Sequence, residues 1–233
     1  MRCLMQLCVV LVAFAPAIAA ADPLAVFDFN SFDGNASTGT LASTTGVGTL
    51  TTVGGPTTFY GFGSGSSDPV AGAEDSALGV GGFPASGNSG SVGLEGAVST
   101  VGYNQIQLQL DQKNQPSSNK FYQVQVRTAP AGPFVAVETY GIAAADIWEN
   151  AKTFDLTAAI PAAGNNPDFA FRIVAVFEPN TTQYAASEAG YNGNIPTLFD
   201  VIRIDGHVVP EPSAIALVMS MTAALGLVRC RTG

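Results

Sequence analysis

Between Asp22 and Val209 the sequence contains no cysteine; Cys3, Cys8 and Cys230 all lie in the terminal segments. That stretch therefore has no disulfide, no thiol nucleophile and no thiolate metal site. Histidine is nearly as scarce, since His207 is the only one in 233 residues. A single imidazole three residues before a Pro-Glu-Pro segment is poorly placed for a Ser-His-Asp triad, and it excludes ordinary zinc and non-haem iron sites. Basic residues are few as well: 9 Lys and Arg stand against 18 Asp and Glu, for a net charge of −9 and a pI near 4.3. A nucleic-acid partner is excluded on this count, because phosphate recognition needs clustered cations. There is no G-x-S-x-G elbow, no phosphate-binding G-x-x-x-x-G-K-[ST] and no G-x-G-x-x-G. The run Gly61-Phe62-Gly63-Ser64-Gly65-Ser66 comes near the last and reads as a turn.

What the sequence does have is concentrated first at its ends. Arg2 precedes an apolar run from Leu7 to Phe14, and small residues follow through Ala17-Ile18-Ala19 and Ala19-Ala20-Ala21. This is the layout of a secretory signal peptide over residues 1–21, with cleavage expected after Ala19 or Ala21. Sec export machinery and a signal peptidase are the partners it calls for. At the other end Pro210-Glu211-Pro212-Ser213 leads into an apolar stretch from Ala214 to Val228, closed by Arg229-Cys230-Arg231. Its fifteen residues, predominantly apolar, make about 22 Å of helix, at the lower limit for a bilayer span. A short transmembrane helix with its basic end in the cytoplasm is the expectation.

The series Val209-Pro210-Glu211-Pro212-Ser213, short apolar helix, and Arg229 and Arg231 at the tip resembles the PEP-CTERM sorting signal of bacterial exported proteins. The resemblance implies that residues 209–233 are a sorting tail, handled by an exosortase-type transpeptidase. It further implies an envelope or extracellular-matrix destination, often linked to exopolysaccharide. Asp155-Leu156-Thr157, Asn165 to Ile173 and Asp200 to Gly206 are also similar to the closing strands of jelly-roll ectodomains that precede such tails.

Residues 22–208 read independently as one all-β domain. Tyr103 to Gln112 alternates strictly, with Ile106, Leu108 and Leu110 on one face and three glutamines on the other, and Phe121 to Arg127 repeats the pattern. The polar segment from Asp111 to Lys120 predicts a hairpin between them, and Phe134 to Tyr140 continues the meander. Further strands are expected at Leu24–Phe29, Thr49–Val53, Thr57–Phe62, Ser91–Val98, Phe169–Phe177 and Leu198–Ile204. The one helical pattern spans Ile142 to Lys152, with Asp146 as cap and Trp148 facing inward. The stretch from Gly34 to Gly96 holds 17 of the 26 glycines and no Lys or Arg. Its aromatic and aliphatic residues, among them Phe59, Phe62, Leu78, Val80 and Phe83, favour short strands over a solvated linker. The predicted architecture is an antiparallel β-sandwich of jelly-roll type between a signal helix and a short transmembrane helix.

Candidate chemistry is sparse. Asp28, Asn30 and Asp33 at the turn after the first strand, with Asp200 on the last, offer the oxygen ligands of a structural calcium site. Trp148, Tyr184 and Tyr191 lie in polar surroundings and are candidates for glycan contact. No catalytic residue is assigned. The expected role is non-enzymatic, structural or adhesive, in the envelope or an exopolysaccharide matrix. A carbohydrate-binding module is the first alternative and a glycan-active hydrolase the second.

Overall fold

The computed structural model describes residues 21–188 and 190–209. Residues 1–20 of the expected signal peptide (1–21) and residues 210–233 of the expected sorting tail (209–233) lie outside them. Among the described residues no helix is long and apolar enough to cross a membrane.

Among the described residues, twelve strands form two antiparallel sheets. In order they are β1 (Asp22–Phe27), β2 (Thr45–Gly46), β3 (Gly48–Val53), β4 (Thr57–Phe62), β5 (Ser76–Gly81), β6 (Gly93–Val98), β7 (Tyr103–Asn114), β8 (Phe121–Arg127), β9 (Val135–Gly141), β10 (Trp148–Asp155), β11 (Ala170–Ala175) and β12 (Thr197–Val208). One sheet runs β10-β7-β12-β1-β2, with β5 also on β12 and β4 on β5; the other runs β3-β6-β11-β8-β9. Phe27, Tyr122, Phe154, Phe169, Phe171 and Phe199 are among the largest fully buried side chains of the core. The sequence alternation is visible in β8, where Tyr122, Val124 and Val126 are buried while Gln123, Gln125 and Arg127 are not.

Two sequence expectations fail. β7 and β8 do not form a hairpin: β7 pairs with β10 and β12, whereas β8 pairs with β11 and β9. Alternation shows which face of a strand is buried but does not name the partner. The polar connection crosses between sheets, with the Asn114 amide buried in it and donating to the Asn119 carbonyl at 2.7 Å and to Ser187 Oγ at 2.9 Å. The segment Ile142–Lys152 is not helical, because Trp148–Asp155 adds β10 to the edge of β7. Its register shifts between Glu149 and Lys152, where Ala151 has φ of 53° and donates its N–H to Asp111 Oδ1 at 2.7 Å. Asp155 caps the single helical turn α1 (Leu156–Ala159) that follows, accepting the Ala158 N–H.

The glycine-rich stretch is folded, contributing β3, β4, β5 and β6. Leu78, Val80, Phe83 and Leu94 are buried, as expected, but Phe59 and Phe62 are exposed on the edge strand β4. β5 was not foreseen: its Ser-Ala-Leu-Gly-Val-Gly sequence lacks alternation because both faces are buried.

β12 positions the site. Its twelve residues pair with β7 on one side, so β5 and β1 must share the other. β5 takes Thr197 to Phe199 and β1 takes Ile202 to Gly206. Asp200 and Val201 fall in the gap between these two partners. The register against β7 also shifts just after Asp200, and Val201 has φ of 44°, which a β-branched residue rarely adopts.

Candidate functional site

Three carboxylates meet at this gap. Oxygens of Asp68, Asp75 and Asp200 all lie within 4.8 Å of one another. Asp200 comes from the bulge of β12, whereas Asp75 precedes β5 and Asp68 lies in the β4–β5 connection. Asp75 and Asp200 are buried, at 4% and 0% exposure. Asp75 Oδ1 and Asp200 Oδ2 have no hydrogen-bond partner. Both crowd Gly63, where a β-carbon would stand 2.2 Å from the first oxygen and 2.6 Å from the second. A side chain at this position would fill the space between the two acids.

Asn30 ties the site together. Its Nδ2 donates to Asp68 Oδ2 at 2.7 Å, and its Oδ1 accepts the Ser76 N–H at 2.8 Å. It therefore joins the segment after β1 to the start of β5 while orienting Asp68. Asp28 Oδ1 accepts the Asn30 N–H at 3.2 Å. Asp28 also lines a cleft of about 430 Å³ with Asp68, Val70, Gln109 and Arg203.

Burial pushes the Asp200 carboxyl up to about 8, against the pull of hydrogen bonds from Ser66 and Val201. Burial also raises Asp75, reinforced by the charge of Asp68 and opposed by Lys113. Asp111, opposite Asp200 on β7, belongs to a different environment: both its oxygens are taken, by the N–H groups of Ser67 and Ala151.

Of the four residues the sequence offered for calcium, the structure brings Asn30 and Asp200 to this chamber and Asp28 to its margin. Asp33 stands apart. It is fully exposed, accepts the Asn35 N–H at 3.0 Å and the Thr38 hydroxyl at 2.8 Å, and is held below the usual carboxylate range chiefly by that hydroxyl. Asp68, Asp75 and Gly63 were missed. One signal could have found them: Asp68, Glu74 and Asp75 sit in a long stretch with no basic residue to pair with.

The aromatic candidates are engaged within the protein. Trp148 donates its indole N–H to the Ser64 carbonyl at 3.0 Å, and Lys113 Nζ lies 4.8 Å from its ring centre. It pins the connection that carries Asp68. Tyr184 is buried and stacks on Tyr191 with ring centres 5.2 Å apart, while Phe177 meets it edge-on at 4.8 Å. Both tyrosine hydroxyls donate to carbonyls of the β5–β6 connection, those of Gly87 and Pro84. The pair clamps that loop, with Tyr184 buried and Tyr191 partly exposed.

A second feature crosses the outer face of the five-stranded sheet. Thr51, Glu95, Arg172 and Gln125 are register neighbours on β3, β6, β11 and β8. Arg172 donates to Glu95 Oε2 from Nε at 2.8 Å and pairs through Nη2 at 2.7 Å. The Phe134 ring lies 3.8 Å from the Arg172 guanidinium. Gln125 Nε2 donates to Gln123 Oε1 at 2.9 Å, and Gln123 Nε2 donates to Thr139 Oγ1 at 3.0 Å. The two glutamines form the floor of a shallow groove of about 380 Å³, bordered by Phe177, Glu178 and Asn180.

No protein-family model matches the chain. Comparison with curated protein sequences finds no match either. Among solved structures, similar ones include the CBM22-1 and GH10 modules of endo-1,4-β-D-xylanase 10B from Clostridium thermocellum in complex with xylohexaose. That likeness has 11% identity and a TM-score of 0.46, over 82% of this chain and 29% of the other. The CBM22-1 xylan-binding domain of Paenibacillus barcinonensis Xyn10C matches at 12% identity and a TM-score of 0.42, over 83% of this chain and all of that domain. The K1 cleaved adhesin domain of Lys-gingipain from Porphyromonas gingivalis matches at 11% and 0.40, over 68% and 90%. At identities and scores this low they carry no inference about this chain's ligand.

Proposed function

We propose that this protein is an exported, non-enzymatic β-sandwich module that holds polysaccharide in the cell envelope or its surrounding matrix, in a structural or adhesive role. The observation that carries this reading is the outer row on the five-stranded sheet. Side-chain amides, a guanidinium, a carboxylate and hydroxyls stand side by side there on rigid strands. Such groups donate and accept hydrogen bonds at spacings set by the sheet, which suits a polyhydroxylated chain laid across it. Phe134 and Phe177 add apolar ring surface beside the polar row.

The disposition of the acids supports the non-enzymatic part. A glycoside hydrolase needs two carboxyl groups on either side of an accessible glycosidic bond. Glu95 is held by Arg172, with Arg127 also within 3.6 Å. Asp75 and Asp200 are buried beneath Gly63, beyond the reach of a sugar ring. The signal-peptide pattern and the sorting motif of the sequence supply the address: export, brief anchoring in the inner membrane, then processing by an exosortase-type enzyme.

Affinity electrophoresis through gels cast with purified exopolysaccharide tests the binding. Concentration-dependent retardation is expected, and it should be lost in the Gln123→Ala/Gln125→Ala variant with unchanged melting temperature. Migration indifferent to polysaccharide would leave only the structural role. Release of reducing ends would instead establish the hydrolase.

A further inference from the structure

We propose that Asp68, Asp75 and Asp200 form a divalent-cation site of the calcium type, which fastens the β4–β5 connection onto the break in the seven-stranded sheet. The clustering of three acids is only the first observation. The second is that Asp75 Oδ1 and Asp200 Oδ2 are buried, unpartnered and turned toward the same small space. Buried carboxylate oxygens without a donor cost several kcal/mol unless something positive compensates them. Elsewhere in the same sheet Asp111, equally buried, has both its oxygens satisfied by backbone N–H groups. The fold is thus able to supply donors to a buried acid, and at Asp75 and Asp200 it leaves one oxygen of each open.

The neighbouring charges do not fill the role. The Lys113 charge acts on Asp75 only at a distance, with its ammonium over the Trp148 ring, and Arg203 donates from Nε to both oxygens of Asp205, at 2.6 and 2.8 Å. Asp28, facing the adjoining cleft, adds negative charge.

The chemistry of the donors selects the ion. All are oxygens, with no nitrogen or sulfur, which favours a hard cation over zinc or copper. Oxygens separated by up to 4.8 Å fit around an ion bound at calcium distances, roughly 2.3 to 2.6 Å. Asn30 is a positioning residue here, since its amide N–H is spent on Asp68 and its carbonyl on Ser76. Three segments distant in sequence would be joined: the turn after β1 through Asn30, the β4–β5 connection through Asp68 and Asp75, and β12 through Asp200.

Two measurements on the folded, tail-free exported chain test this. Terbium luminescence reads binding directly, because Trp148 contacts Ser64 in the connection that carries Asp68 and can sensitise the ion. A terbium signal displaced by calcium is expected. Thermal unfolding reads the consequence: the melting temperature should rise by roughly 5 to 10 °C between EDTA and calcium at about a hundredfold its dissociation constant. In the Asp75→Asn/Asp200→Asn variant both responses should vanish. Its melting temperature in EDTA should equal or exceed that of the parent, because the repulsion between acids is gone. An equal melting temperature in EDTA and calcium for the parent would overturn the proposal. So would a calcium response surviving in the double variant.

Discussion

The two sheets solve the same packing problem in different ways. In the five-stranded sheet the ladders run with little interruption and the inward positions are apolar: Leu50, Leu94, Phe171, Ile173, Val124 and Val126. Its polar residues face outward, where water or a ligand can meet them. The seven-stranded sheet instead buries Asp75, Ser76, Asp111, Gln112, Asn114, Thr197 and Asp200. The difference begins with β12, which has two successive partners on one side. Where β5 stops and β1 begins, backbone and side chains must find substitutes for ladder partners, and polar residues gather to supply them. One sheet is a continuous surface; the other has a seam where the partners of β12 change.

This contrast can be broken first in the continuous sheet. The Phe171 ring is fully buried and lies across Gly96, where a β-carbon would come within 2.3 Å of it. Phe171→Ala should cost about 3 to 5 kcal/mol in urea unfolding. Gly96→Ala should be destabilising with Phe171 present and much less so in the Phe171→Ala background, a coupling that a double-mutant cycle reads. Additive losses would mean that ring and glycine are not matched.

The seam should respond to pH where the continuous sheet does not. Asp200 titrates near 8 when folded, against an ordinary value of 3.8. A carboxyl raised in this way holds its proton more tightly when folded. Its stabilising contribution is complete below pH 4 and is lost as pH rises through 8. In EDTA the melting temperature should therefore fall between about pH 5 and about pH 8.5, with a much smaller fall in Asp200→Asn. A flat profile would show that the acid is not desolvated.

The smallest effect belongs to the outer row. Glu95 and Arg172 are each about a quarter exposed, so Glu95→Gln should change stability by no more than about 1 kcal/mol. A larger loss would mean that the outer row holds the sheet together rather than serving a ligand.

Much of the fold was legible because burial on one face leaves a period of two. β7 and β8 announce themselves in this way, β12 shows itself as a more continuous apolar run, and the aromatic and aliphatic residues of the glycine-rich stretch mark it as folded. β5, buried on both faces, leaves no such period, and β10 was masked by a helix-like spacing around Trp148. The site was legible only in part. Asn30 and Asp200 stood out as oxygen donors near the first and last strands, whereas Asp68 and Asp75 lay in a run that reads as turns. Nothing in their local sequence says that this turn folds back over β12.

The sequence by itself determined the class of the fold, the scarcity of cysteine and histidine and the acidic balance. Each of these follows from composition or from short-range order. Only the tertiary structure decided that β7 and β8 belong to different sheets, that two tyrosines clamp a loop, and that Asp200 shares one small space with Asp68 and Asp75, more than a hundred residues before it. Those outcomes depend on which strands pair. Pairing is decided by how whole faces pack against each other, a property no local stretch of sequence carries.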